Sequence, residues 1–250
     1  MNIALIGYGN MGHEVESVAR QQGHTITVRF SSAHPLPHSD SEFYRTTPID
    51  CFIDFSTASA VQKNVETAVQ LHIPIVEGTT GWSEQQSEVI QRVRKANGSL
   101  VYGNNFSIGA QIFFRIVRTT AHLLNPFPQY DVGILEMHHT KKKDAPSGTA
   151  LTLGNILLSN FQRKTALRTS LHESPLQPNE IAVSSSRVGT VVGIHTVLFN
   201  STVDEIELTH RAHSRSGYAQ GAVLAAELLV KNRGVYSFEE LIFEHSLPHS

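Results

Sequence analysis

The chain has 250 residues, 40% hydrophobic and 17% charged; this excludes a disordered chain, a collagen or a coiled-coil rod and suits one large domain or two modest ones. Twenty basic against 22 acidic side chains leave a formal charge of −2, so nothing favours nucleic acid as a partner. The single cysteine, Cys51, excludes an internal disulfide and a cysteine-based zinc site and suits a reducing cytoplasm. Apolar stretches such as 222–230 are short and carry Glu227, so no membrane span is expected. The chain enters a strand at once, without the pattern of a signal peptide.

The first hundred residues alternate short apolar runs with amphipathic stretches. Strands are expected at 3–6, 25–30, 50–55, 73–77 and 100–103, and helices at 11–22, 58–71 and 83–96. This alternation is the mark of a parallel sheet. A proline-rich polar connection, with Pro35, Pro37 and Pro48, separates the second and third strands. After a long helix at 107–124, Val-, Ile- and Thr-rich runs at 131–138, 181–187, 191–199 and 203–210 read as strands of a mixed or antiparallel sheet, interrupted by one helix at 147–160. Residues 217–232 and 238–243 are helical again. The expected division is 1–105 as a first domain, 106–215 as a second for substrate and oligomerisation, and 216–250 as helices packing back on the first.

The segment Ile3-Ala-Leu-Ile-Gly7-Tyr8-Gly9-Asn10-Met11-Gly12 is a strand followed by G-x-G-x-x-G and a helix. Gly7 permits the turn, Gly9 lets a pyrophosphate approach, and Gly12 lets helix and strand pack closely. The helix N-terminus supplies N–H groups to the phosphates. With these flanks the motif points to a Rossmann-like dinucleotide-binding domain. The ribose discriminator is expected about 20 residues on, where Arg29, Ser31 and Ser32 stand and no acid is present. These residues can receive a 2′-phosphate; the alternative for Arg29 is a solvated surface charge. Two further turns, Gly78-Thr79-Thr80-Gly81 and Gly103-Asn104-Asn105-Phe106, follow strands of the same sheet. They border either the nicotinamide or nothing more than a turn.

The most informative stretch is Glu136-Met-His138-His139-Thr-Lys141-Lys142-Lys143-Asp144-Ala-Pro-Ser147-Gly148-Thr149-Ala150. Ser147 is suited to cap the helix that follows, and the turn makes an anion pocket for a carboxylate or phosphate. The histidines and a lysine beside it can move protons and offset negative charge. A solvated lysine loop and a histidine metal pair are the bland alternatives; the spacing is not that of a zinc protease, and no metal is assigned.

Glu-x-His-His-x-x-Lys-x-Asp-Ala-Pro-Ser-Gly-Thr-Ala is similar to the signature of the 4-hydroxy-tetrahydrodipicolinate (dihydrodipicolinate) reductase family, of the diaminopimelate branch of lysine biosynthesis. The resemblance extends over essentially the whole chain, through Phe52-Ile-Asp-Phe-Ser56, the two later glycine turns, Asn105-Phe-Ser-Ile-Gly109, Arg187-Val-Gly-Thr190, Gly193-Ile-His195-Thr196 and Leu208-Thr-His210-Arg-Ala212. It implies NADPH or NADH as cofactor, a cyclic dicarboxylate imine as substrate, and a cytoplasmic homotetramer joined through the second domain's sheets. By position it assigns His138 as proton donor or acceptor, Lys142 as second proton donor, His139 as a substrate contact, and Gly148 and Thr149 as the carboxylate turn. It assigns 7–12, 78–80 and 103–106 to the cofactor. Two departures stand out: a glycine turn one residue shorter than in many relatives, and Ser31-Ser32 where an acid and a base often end the second strand. The competing functions are another two-domain nicotinamide dehydrogenase and a dinucleotide sensor without turnover; intact His138 and Lys142 argue against the sensor.

Overall fold

The computed structural model describes residues 1–170 and 174–245. In chain order the elements begin β1 (Asn2–Ile6), α1 (Asn10–Gln21), β2 (Thr25–Phe30), α2 (Phe43–Thr46), β3 (Cys51–Asp54), α3 (Ala58–Gln70) and β4 (Ile75–Glu77). There follow α4 (Ser83–Lys95), β5 (Leu100–Tyr102), α5 (Ile108–Leu124), β6 (Asp131–His138), α6 (Gly148–Asn160) and β7 (Ala166–Arg168). The chain continues through β8 (Glu180–Arg187), β9 (Gly193–Asn200), β10 (Glu205–Ala212), α7 (Ser216–Lys231), β11 (Val235–Ser237) and α8 (Phe238–His245). Two compact units result: Met1–Ser107 with the described residues from Arg215 onward, and Ile108–Ser214.

The first unit holds a six-stranded sheet in the order β11-β5-β4-β3-β1-β2, parallel throughout. Its strands are apolar on both faces because helices cover both. Ala4, Phe52, Ile75 and Leu100 pack with Val61, Val65 and Val89 of α3 and α4. Each of the buried Val, Ile, Leu and Phe side chains contributes about 1.5–3 kcal/mol relative to exposure. The chain moves from β1 to β2 on one side and returns to β3 on the other. The crevice where strand order reverses therefore opens at the carboxyl ends of β1 and β3, the place where parallel sheets bind ligands.

Three elements escape the sequence reading: α2, β7 and β11. β7 and β11 are three-residue edge strands, too short to show a period, and pairing alone defines them. The strand expected from 73 begins at Ile75, because the Ile73 amide still donates to Ala68 at the end of α3 and His72 turns the chain with φ 55°. β9 and β10 likewise begin two residues later than expected, at Gly193 and Glu205.

The second unit is a mixed sheet, β10-β9-β6-β8-β7. β9 runs antiparallel to β6 and β10, while β6–β8 and β7–β8 are parallel. α5 and α6 cover one face, where Phe113, Phe114, Leu153 and Leu157 meet Val132, Ile134, Val197 and Phe199. Residues on the other face follow the opposite parity, and Leu135 there is 51% exposed. Among the described residues no helix is long and apolar enough to cross a membrane.

Candidate active site

β6 alternates strictly, and Val132, Ile134, Glu136 and His138 share its buried face. Two ionisable groups thus complete an apolar row at the strand's carboxyl end. Register pairs Glu136 with His195 of β9 on one side and with Ser185 of β8 on the other; His138 pairs with Arg187. His138 Nδ1 lies 2.5 Å from Glu136 Oε2, and Arg187 Nη1 donates to Glu136 Oε1 at 3.0 Å. The His195 ring meets the His138 ring edge-on, with centroids 5.0 Å apart.

Burial would raise the Glu136 carboxyl, but hydrogen bonds from Ser185, Ser147 and Arg187 outweigh it and hold the group below its usual value. Burial drives His138 below the ordinary histidine value; Glu136 opposes this, and the charges of Lys142 and Arg187 reinforce it. His195, more deeply buried, is pushed down to about 4. Both imidazoles are therefore neutral near neutral pH. The nearby Glu136 carboxylate favours the neutral tautomer with its proton on Nδ1, which presents an Nε2 lone pair.

The connection from β6 to α6 is pinned to this cluster. The Val188 amide donates to the His138 carbonyl at 2.8 Å, and Arg187 Nη2 donates to the Asp144 carbonyl at 2.5 Å. Half-buried His139 accepts the Lys142 amide on its carbonyl. Lys142 Nζ stands 2.8 Å from Asp144 Oδ1 and is 23% exposed, whereas Lys141 and Lys143 are exposed. Ser147 caps α6 by accepting the Ala150 amide on Oγ, which also lies 3.0 Å from His195 Nε2. The Ser147 hydroxyl therefore ties the turn to His195 as well as to Glu136. Gly148 is exposed, and a Cβ built there meets nothing within 4 Å. That open space, at the positive end of α6, suits a carboxylate. Thr149 sits half-buried beside it.

Glu136, Arg187 and His195 are absent from the sequence-based set of site residues. Glu136 carried a local signal, a carboxylate two residues before His138 on the same strand face; Arg187 and His195 stand within motifs of the family resemblance but receive no role from it. Glu136, His138 and His195 present ligand-type atoms within 4.8 Å of one another. The carboxylate is already engaged by Arg187 and His138, with cationic Lys142 nearby, which suits a proton network better than a cation.

In the first unit the expected cofactor residues line the carboxyl edge of the parallel sheet, after β1, β4 and β5. Gly7 has φ +83°, and a Cβ there would lie 2.4 Å from the Phe55 carbonyl oxygen; a Cβ on Gly12 would lie 2.5 Å from the Gly7 oxygen. Gly9 faces open space and begins α1 with no side chain capping it. Asn10 and Met11 form the first turn, so phosphates can reach the helix amides. These residues fit a dinucleotide pyrophosphate. Thr79 is buried and Thr80 exposed. Gly103 and Asn104 lead to Asn105, whose Oδ1 accepts the Ser107 amide. The Phe106 ring is buried between Phe55 and Phe238.

Arg29 is not the solvated charge considered above. It donates from Nε and Nη2 to Glu16 of α1, which also accepts from Tyr8 Oη at 2.5 Å and Arg20 Nε at 2.8 Å. The Arg29 hydrogen bond, with help from Tyr8 and Arg20, outweighs burial and lowers the Glu16 carboxyl to about 2. Ser31 closes a turn with His34, and Ser32 is exposed.

Comparison with known proteins decides the family. The N-terminal family model of dihydrodipicolinate reductase matches residues 1–106, and the C-terminal model matches residues 109–242. The chain belongs to the dihydrodipicolinate reductase family. It is 36% identical over 242 residues to the 4-hydroxy-tetrahydrodipicolinate reductase of Christiangramia forsetii, covering 97% of this chain and 98% of that one. It is 35% identical over 247 residues to the Staphylococcus aureus (strain MRSA252) enzyme of that name, covering 96% and 100%. The solved structure of dipicolinate-bound dihydrodipicolinate reductase from Paenisporosarcina sp. TG-14 shares the fold, with a TM-score of 0.75 at 20% identity over 96% of this chain and 99% of that one. As a dihydrodipicolinate reductase family member the chain is an NAD(P)H-dependent oxidoreductase of the diaminopimelate branch of lysine biosynthesis.

Proposed function

We propose that the chain reduces 4-hydroxy-tetrahydrodipicolinate to tetrahydrodipicolinate, with the first unit binding NADPH or NADH through residues 7–12, 78–80 and 103–106. The second unit holds the substrate at His139 and the 147–149 turn. The observation that carries this reading is the convergence of His138, Lys142 and the open Gly148 turn at the carboxyl end of β6. The bound nicotinamide supplies hydride to one ring carbon. The 4-hydroxyl leaves as water to give the conjugated dihydrodipicolinate, and the protein supplies a proton to the carbon neighbouring the one that takes the hydride, with positive charge for the two carboxylates. Lys142, an ammonium anchored by Asp144, is the proton donor. Neutral His138, oriented by Glu136, relays protons through Nε2. The α6 amides and Thr149 receive a carboxylate.

Both nucleotides are accepted in this reading. No acid ends β2 to repel a 2′-phosphate, but such a phosphate must share Arg29 with Glu16. Four copies associate through the open face of the second sheet, where Leu135 shares a row with Thr196 and Thr209. A cytoplasmic location accords with a biosynthetic reaction that draws on the free nicotinamide pool. The test is oxidation of NADPH or NADH, followed optically, with substrate formed in situ from pyruvate and aspartate semialdehyde. No oxidation with either nucleotide overturns the proposal.

A further inference from the structure

Two carboxyl groups outside the catalytic cluster lie in the parallel sheet. Asp54 ends β3 and Glu77 ends β4; the strands are adjacent and in register at these residues, and both residues are 0% exposed. Each holds the turn that follows its strand. Asp54 Oδ1 accepts the Ser56 amide at 2.8 Å, and Glu77 Oε1 accepts the Thr79 amide at 2.8 Å. The turns are tied to each other, since the Ser56 amide also donates to Thr79 Oγ1 at 3.1 Å. Asp54 Oδ2 accepts from Asn64 of α3 at 2.7 Å.

Among the described residues, the side chains hydrogen-bonded to the pair or beside it in the sheet are neutral: Ser56, Asn64, Thr79, Ile6 on β1 and Tyr102 on β5. Burial holds the Tyr102 phenol above its ordinary value. Among the described residues neither carboxyl has a Lys, Arg or His within ion-pair distance. Glu77 Oε2 is buried, and as a carboxylate oxygen it has no donor. Protonated, it becomes a donor, with the Asp54 carboxyl beside it on the neighbouring strand. Two adjacent buried carboxylates without a counter-ion cannot both stay charged.

We propose that Asp54 and Glu77 hold one proton between them and that this proton locks the 55–57 and 78–81 turns in the shape that receives the dinucleotide. Glu77 is the donor, Asp54 the acceptor, and both are positioning residues. Burial, then the neighbouring charge of Asp54, raises Glu77 well above the usual carboxylate range, in the direction the pairing requires. Losing the proton sets two like charges against each other and loosens both turns together. The second half of the proposal rests on the dinucleotide reading of the first unit; the first half does not.

The experiment combines infrared spectroscopy with nucleotide binding. At about pH 8, where ordinary carboxyl groups are ionised, the wild-type protein keeps the carbonyl band of one protonated carboxyl, and Glu77→Gln removes it. The side-chain amide introduced by Glu77→Gln donates to Asp54 and its carbonyl accepts from Thr79, so this variant copies the protonated state and does not titrate. For the wild type, NADPH and NADH dissociation constants rise roughly tenfold or more as pH climbs through the pair's titration, and the thermal midpoint falls with them. Glu77→Gln binds as the wild type does at neutral pH and keeps that affinity as pH rises; Glu77→Ala binds weakly throughout.

Absence of the band in the wild-type protein overturns the shared proton, and needs no variant to fold. A Glu77→Gln profile that follows the wild-type pH dependence, or Glu77→Ala binding as tightly as Glu77→Gln, overturns the link to the turns. If the wild type binds neither nucleotide, the dinucleotide reading fails and the locking claim with it, while the band and the thermal profile still decide the proton.

Discussion

Replacing Glu136 with glutamine tests the proton network with almost no change of shape. In the wild type, Glu136 Oε1 accepts from Arg187 and Oε2 lies 2.5 Å from His138 Nδ1, which favours the tautomer with its proton on Nδ1 and leaves the Nε2 lone pair available. Glutamine satisfies Arg187 with its carbonyl oxygen and turns its amide toward His138. Its N–H then donates to Nδ1 and forces the proton onto Nε2, inverting the tautomer. The relay is lost, so kcat falls by about 10²–10⁴-fold, the usual contribution of acid–base catalysis.

The pH profile carries a second signature. Glu136 is the main influence raising His138 against its burial. Removing that negative charge lowers the imidazole further, so the acid limb of kcat/KM moves to lower pH. The wild-type limb is expected below the ordinary histidine value, because burial lowers His138. The assay is optical oxidation of the reduced nicotinamide from acid to neutral pH, with substrate KM and thermal midpoint as controls. Activity within about threefold of wild type, or an acid limb that stays in place, refutes the tautomer argument; full acid–base loss is about 10²-fold or more.

Lys142→Ala lowers kcat by about 10²–10⁴-fold, while Lys141→Ala and Lys143→Ala cost much less, because only Lys142 is anchored by Asp144; equal losses at all three positions would point to a diffuse positive field. Thr149→Val removes a donor worth about 1.5–3 kcal/mol toward a charged group, so substrate KM rises roughly tenfold or more while nucleotide binding holds. Gly148→Val is worse, since its side chain fills the open space at the turn. Titrating nucleotide and pyridine-2,6-dicarboxylate separately checks both variants, and weakened nucleotide binding with unchanged dicarboxylate binding contradicts them. Glu16→Gln frees Arg29 for a 2′-phosphate, so the NADPH-to-NADH ratio of kcat/KM rises roughly tenfold; Ser31→Asp moves it the other way, and an unchanged ratio in Glu16→Gln removes Arg29 from nucleotide selection.

Local chemistry made much of this protein legible from its sequence. Helix and strand periods marked the β/α alternation and the second sheet. The spacing of Gly7, Gly9 and Gly12 marked a turn whose geometry leaves little choice of residue, and the run from Glu136 to Ala150 placed two histidines, a lysine and a helix cap within fifteen positions. Strand register decided the rest. Glu136 meets His195 and Arg187 only because β6 lies between β9 and β8, across about fifty to sixty residues of chain. Arg29 finds Glu16 because β2 packs beneath α1, which turned an apparent surface charge into a held ion pair. Asp54 and Glu77 each look like an ordinary acid at a strand end. Only the pairing of β3 with β4 puts two buried carboxyl groups side by side, and a buried pair without a counter-ion must keep a proton.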